Sequence, residues 1–306
     1  MKFPSIKMPS VKIPFLRPRS TPDDGTGTDN AQSSGIPTPM RQMQIVYMAQ
    51  LKLYMKGSIP FLLILLVLMI PAIIYTGIFD GMIIDSMRTE IGDTGETFVA
   101  ICLSMLSAMT ILIACILCGS TLPSEIRYRT AYLNFPFPQS RTTFYFGKFL
   151  AGYSLTLMTV LLAFGISIVT ASLGYGSVSF TAVGTALIIS IAGSFAICAM
   201  AYGISAYTEK GSTMIPFALI FIMIPVIALV LADAGALSGY IGYIPSFFGE
   251  VALSYLGSDQ SVSMVMLLDN MNADISAGFA GAVSASMIFG VVFLFAGLIR
   301  TQRREI

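Results

Sequence analysis

The sequence predicts an all-α polytopic membrane protein with six transmembrane helices and an amphipathic interfacial helix ahead of the first. Three observations lead there. Of the 306 residues, 55% are hydrophobic and only 11% are charged, whereas a soluble domain carries about 25% charged residues. The apolar residues are gathered into unbroken runs of the ~20 residues that a helix needs to cross a hydrocarbon core about 30 Å thick. These runs do not show the ~10-residue alternation of polarity that marks a transmembrane barrel strand.

Residues 1–39 read as a disordered, basic, Pro-rich cytoplasmic tail. Its first part is a degenerate pentapeptide repeat, Phe3-Pro4-Ser5-Ile6-Lys7, Met8-Pro9-Ser10-Val11-Lys12 and Ile13-Pro14-Phe15-Leu16-Arg17, and proline at that frequency forbids a helix. Such a segment either lies on an anionic inner leaflet or stays a solvated tail. Residues 18–39, rich in Ser, Thr, Gly, Pro and Asp, hold too little apolar surface to order themselves. The first thirty residues also lack the apolar region of a cleavable signal peptide, so the first span is expected to serve as an uncleaved anchor.

Residues 40–57 change to a helical pattern. Met40, Met43, Tyr47, Met48, Leu51, Tyr54 and Met55 fall on one arc, and Arg41, Gln42, Lys52 and Lys56 on the other. A helix of that kind floats in the inner interface with its apolar face down; Gln44 and Ile45 depart from the pattern and leave open a plain extension of the first span.

Six spans follow within residues 58–300: Ser58 to Ile78, Phe98 to Gly119, Phe149 to Leu173, Val183 to Ala206, Thr213 to Ala232 and Ala277 to Leu298. The third and fourth, joined through Gly174-Tyr175-Gly176-Ser177, are expected to form an antiparallel hairpin. Residues 301–306 form a cytoplasmic C-terminal tail. Pro71 and Pro225 fall in mid-span and are expected to kink their helices. Gly278, Ala282, Ser286 and Gly290 recur every four residues on the sixth span, and Ser190, Ser194 and Cys198 on the fourth, stripes that let helices approach closely.

Cytoplasmic segments collect Lys and Arg, and sixteen of the seventeen basic residues fall on one side, leaving only Arg88 on the other. Both termini are therefore expected in the cytoplasm of a multi-pass cell-membrane protein. The outer loops carry Asp80, Asp85, Glu90, Asp93, Glu96, Asp233, Glu250, Asp259, Asp269 and Asp274; acids are tolerated where bases are excluded, or they attract cationic solutes.

The four cysteines, Cys102, Cys115, Cys118 and Cys198, all lie in predicted spans, and the chain has no histidine. They read as small buried apolar residues and not as a metal site. No span holds an ionisable side chain of the kind that binds a coupling proton, although backbone carbonyls of broken helices can bind sodium. Energy for transport is expected from outside the membrane, yet the chain has no GxxxxGK[ST] phosphate loop. An ATPase, if used, is a separate chain.

The first cytoplasmic loop carries the most distinctive residues. Pro123-Ser124-Glu125-Ile126-Arg127-Tyr128-Arg129-Thr130-Ala131-Tyr132-Leu133 reads as a short helix, capped by Ser124, with Glu125 complementing its dipole and Asn134, Pro136 and Pro138 ending it. Its aromatic and arginine content suits either a protein interface or a membrane-surface loop with snorkelling arginines.

The run Ser124-Glu125-Ile126-Arg127-Tyr128-Arg129-Thr130, then Pro138-Gln139-Ser140-Arg141, then Gly147-Lys148-Phe149-Leu150-Ala151 resembles the ABC-2 type permease family of ABC transporters, whose pattern runs roughly E-x-x-x-G-T, P-x-S-R, G-K-x-[LI]. Arg129 occupies the place of the pattern's glycine. The resemblance implies a six-helix transmembrane subunit, paired with a second permease half as homodimer or homologous half, and driven by cytoplasmic ABC ATPase subunits. It implies that Glu125 to Leu133 is the coupling helix, with Ser124, Glu125, Arg127, Tyr128, Arg129, Thr130 and Tyr132 facing the ATPase and Pro138, Ser140, Arg141, Gly147 and Lys148 flanking it. It implies no cofactor in this chain, with ATP and Mg on the partner, and a re-entrant outer helical pair before the sixth span, for which residues 244–256 and 261–268 are suited.

The expected function is thus that of a membrane permease subunit, not itself an enzyme, moving or exporting an amphipathic or hydrophobic substrate within the lipid bilayer. An ATP-independent scaffold or channel and a polytopic interfacial enzyme are the alternatives. Nothing in the charge pattern points to nucleic acid.

Overall fold

Inside a hydrocarbon layer a backbone amide has no water to bond, so each apolar run must satisfy its own polar groups, and the α-helix does this locally. The computed structural model describes residues 38–56, 95–127, 140–175, 178–208, 214–233, 240–256 and 278–303, and among them every regular element is helical. In chain order these are α1 (Pro39–Lys56), α2 (Gly95–Leu117), α3 (Thr121–Arg127), α4 (Arg141–Tyr175), α5 (Phe180–Ser205), α6 (Met214–Asp233), two 3-10 turns (Ile241–Tyr243 and Pro245–Phe247), α7 (Phe248–Ser254) and α8 (Phe279–Arg303).

Four stretches among the described residues are long and apolar enough to cross a membrane: Leu106–Pro123, Arg141–Leu173, Phe180–Ser205 and Phe279–Arg303. They coincide with the second, third, fourth and sixth predicted spans. Helix α6 occupies the residues of the fifth and is not among those four. The first predicted span, the N-terminal repeat and the second half of the outer helical pair lie outside the described residues.

Helix α5 is the hub, with α8, α4, α2 and α7 all packed against it. From Ala192 onward nearly every side chain of α5 is buried, which is why its sequence is small or apolar on all sides and not amphipathic. Glycines make the closest crossings, one of them, Gly290, on a predicted stripe. A methyl group on Gly203 would strike the backbone of Phe293, and one on Gly290 would strike the Phe195 ring. Ala282, Ser286, Gly290, Leu294 and Gly297 form the buried seam of α8; Gly278, first of the predicted stripe, has open space around it.

Between Tyr240 and Leu256 the chain returns to the bundle. Phe247, Val251, Ala252 and Leu256 are fully buried. A methyl on Gly193 would collide with Phe248, and one on Gly249 with Ser107. Gly193 and Ser107 lie near the middle of α5 and α2, so the start of α7 reaches half-way along both helices.

Two boundaries differ from the sequence reading. Helix α4 begins at Arg141, not Phe149, and its 35 residues make it about 52 Å long at 1.5 Å per residue. Helix α8 continues to Arg303, through the start of the expected C-terminal tail.

Candidate functional site

The loop singled out by the sequence starts where α2 ends. Residues 118–120 form a turn and the chain resumes as α3 at Thr121, three residues earlier than expected. Ser124 is therefore inside the helix and not its N-cap. Pro123 fits because the first turn of a helix has no use for its missing N–H. The Thr121 hydroxyl donates to the carbonyls of Leu117 (2.9 Å) and Cys118 (2.7 Å), closing the corner. Ser124, Glu125 and Arg127 lie on α3, while Tyr128, Arg129, Thr130, Tyr132 and Pro138 lie outside the described residues.

The chain resumes at Ser140, which caps α4: the Thr143 N–H donates to the Ser140 hydroxyl oxygen at 3.2 Å. Arg141 donates from a guanidinium nitrogen to the Gln302 carbonyl at 2.9 Å, and the Gln302 amide donates to the Thr142 hydroxyl at 3.3 Å. The start of α4 is thus tied to the end of α8. One turn on, Tyr145 donates to the Leu294 carbonyl (3.1 Å) and its own carbonyl accepts from Tyr202 (2.8 Å). The rings of Tyr145, Phe149, Tyr153, Phe195 and Tyr202 pack edge-on, tilted or stacked into one cluster between α4 and α5.

Gly147 and Lys148 do two different jobs. A methyl on Gly147 would meet the Met43 carbonyl and the Val46 side chain at 3.0 Å, so the glycine lets α1 lie against α4. Lys148, whose side chain is only 4% exposed, forms a salt bridge with Glu125; its ammonium also sits 4.4 Å from the centre of the Phe144 ring. A bare ammonium is costly to bury, and a carboxylate partner with a ring face offsets that cost. Two of the three sequence blocks that carry the family resemblance, one beginning on α3 and one on α4, therefore meet through the Glu125–Lys148 pair. Sequence reasoning selected both residues and missed the pairing.

Helix α1 completes the site from the side. Gln42, Val46, Gln50 and Tyr54 are buried, two of them polar. The Tyr54 phenol donates to the carbonyl of Leu117, the last residue of α2, at 2.7 Å and lies 3.5 Å from the Thr121 hydroxyl. Tyr47 donates to Ser154 of α4 at 3.2 Å. Burial pushes the Tyr54 phenol up to about 12, against a smaller opposing effect of the Thr121 hydrogen bond, so it remains a donor at neutral pH. Met40, Ile45, Met48, Leu53 and Met55 are exposed instead. Met40, Met48 and Met55 belong to the arc expected to face the membrane, and a helix between protein and lipid has three faces.

The four cysteines are buried and free, and no cluster of three metal-ligating side chains occurs among the described residues. At the opposite end of the bundle, Glu96 accepts from the Ser179 N–H at 3.1 Å, joining the head of α2 to the head of α5. No protein-family model matches the chain, and no curated protein matches its sequence.

Proposed function

We propose that the chain is the transmembrane subunit of an ATP-driven transporter of the ABC-2 type, working in the cell membrane as one of two permease halves with both termini in the cytoplasm. The observation that carries this reading is the Glu125–Lys148 pair. A membrane part driven by a soluble motor needs a stiff element at its cytoplasmic end, and α3 is such an element. It is pinned at its start to α1 by Tyr54 and at its end to α4 by Lys148. Movement of α3 is then passed to α4, and through Arg141 and Tyr145 to α8.

The segment 240–256 supports the same architecture, because its short helix reaches the middle of α2 and α5 as the first member of a re-entrant outer pair would. Apart from Gln42, Gln50 and Lys148, the buried polar side chains among the described residues are hydroxyls such as Thr110, Thr156, Thr159 and Ser194, these four donating to their own helix backbone. An amphipathic or hydrophobic substrate suits such walls.

The test is purification of the full chain from its native membrane. ATPase subunits in equal number are expected, with two permease halves per particle by single-particle mass measurement and with ATP hydrolysis stimulated by substrate. A single copy that transports without any nucleotide hydrolase would overturn the proposal.

A further inference from the structure

Helix α1 carries two surfaces that the bundle does not use. At 3.6 residues per turn, the buried face of Gln42, Val46, Gln50 and Tyr54 is followed around the helix by Met40, Gln44, Met48 and Met55, and then by Arg41, Lys52 and Lys56 with Ile45. Met40 is 74% exposed, Met48 48% and Met55 57%, and all three basic side chains are exposed as well. The helix lies at a fixed level of the bundle, beside the last residue of α2 and the second turn of α4. That is the end at which apolar spans give way to the basic cytoplasmic segments.

We infer that the outward face of α1 is a binding surface for anionic phospholipid, with the methionines seated among the acyl chains and Arg41, Lys52 and Lys56 holding the phosphate headgroups. An uncharged lipid would satisfy the methionines alone. The ordered row of three cations immediately beside them, with no acidic residue anywhere on α1, is complementary to a negatively charged surface, which draws basic residues strongly within a Debye length. Protein docked on the same face would have to cover exposed cations and flexible thioethers together without a matching acid from α1. The inference stands apart from the ATPase reading, since it needs only that the bundle sits in a bilayer.

The chain contains no tryptophan, so a single introduced one reports its own surroundings. The full chain bearing Met48→Trp is reconstituted in bilayers of phosphatidylcholine and phosphatidylglycerol, with bromine on the acyl chains of one lipid or the other. Brominated phosphatidylglycerol should be enriched about fivefold over brominated phosphatidylcholine at this site, the effect of roughly one well-placed cation. The preference should vanish when Arg41→Gln, Lys52→Gln and Lys56→Gln are combined with it, while quenching by phosphatidylcholine persists and shows that the helix is still in the membrane. Ile288→Trp, on the exposed middle of α8, should be quenched equally by both lipids. Equal quenching at position 48, a preference that survives the triple substitution, or no quenching by either lipid, as when protein or water covers the face, would each overturn the inference.

Discussion

Glu125 and Lys148 are 23 residues apart, the lysine buried and its carboxylate partner 19% exposed, which changes how substitutions at either must be read. Removing Glu125 takes the carboxylate from a buried ammonium and should lower stability by about 3–5 kcal/mol, whereas replacing both with apolar residues is often neutral or better. Glu125→Ala is therefore expected to lower the temperature at which the detergent-solubilised chain aggregates, and Glu125→Leu with Lys148→Met to restore it. If the pair also links motor to membrane, the double variant regains stability without substrate-stimulated hydrolysis; an intact response in that variant would leave the pair a purely structural one. Tyr54 gives a second residue-level expectation. Its folded-state value of about 12 lies above the ordinary 10.0, so its contribution is complete below pH 10 and is lost as pH climbs toward 12. Tyr54→Phe should cost about 1 kcal/mol at neutral pH by deleting the bond to Leu117, and should flatten the alkaline decline measured on the native chain. Both charged residues stood out in the sequence because they belong to distinct motif blocks. Their contact did not, because it depends on where the corner after α2 places Glu125 beside α4, and no local spacing encodes that.

The helices themselves were legible to differing degrees, for reasons that particular residues make plain. Apolar runs located α2, α4, α5 and α8, since continuous apolarity is a one-dimensional signal. Apolarity alone starts α4 too late, because it begins a span after the last ionisable side chain, and Lys148 is ionisable yet buried. The face of α1 that meets the bundle was not legible because it includes the buried Gln42 and Gln50, a choice made by tertiary partners and not by hydropathy. Glycines test the packing most directly. Gly193→Ala and Gly203→Ala place a methyl against Phe248 and against the Phe293 backbone, and overpacking of this kind costs about 1–3 kcal/mol. Gly165→Ala and Gly184→Ala meet nothing within 4 Å and should be neutral or stabilising by up to about 1 kcal/mol, the helix preference for alanine. Thermal aggregation of the four variants side by side should split them two and two; uniform behaviour would refute the crossings of α5 with α7 and α8.

At the scale of the whole molecule, the lopsided basic residues predict that Ser86→Cys and Ser258→Cys are labelled by an impermeant thiol reagent from outside the cell. The native cysteines are all buried and should add little background; labelling from the cytoplasmic side would invert the orientation. The network at the foot of α4 also has a time order. Chains emerge from the ribosome at roughly 5–20 residues per second. Lys148 then follows its carboxylate by about 1–5 s, while the acceptor of Arg141 lies 161 residues further on and arrives about 8–32 s later. The nascent corner of α2, α3 and α4 can close while α8 is still being made, and the glycine-lined flank of α5 must wait uncovered for the last helix. A ribosome-arrested chain ending well before residue 278 should already shield Lys148 from amine-reactive reagents, and a lysine as reactive as Lys52 in that intermediate would show that the corner forms only at release.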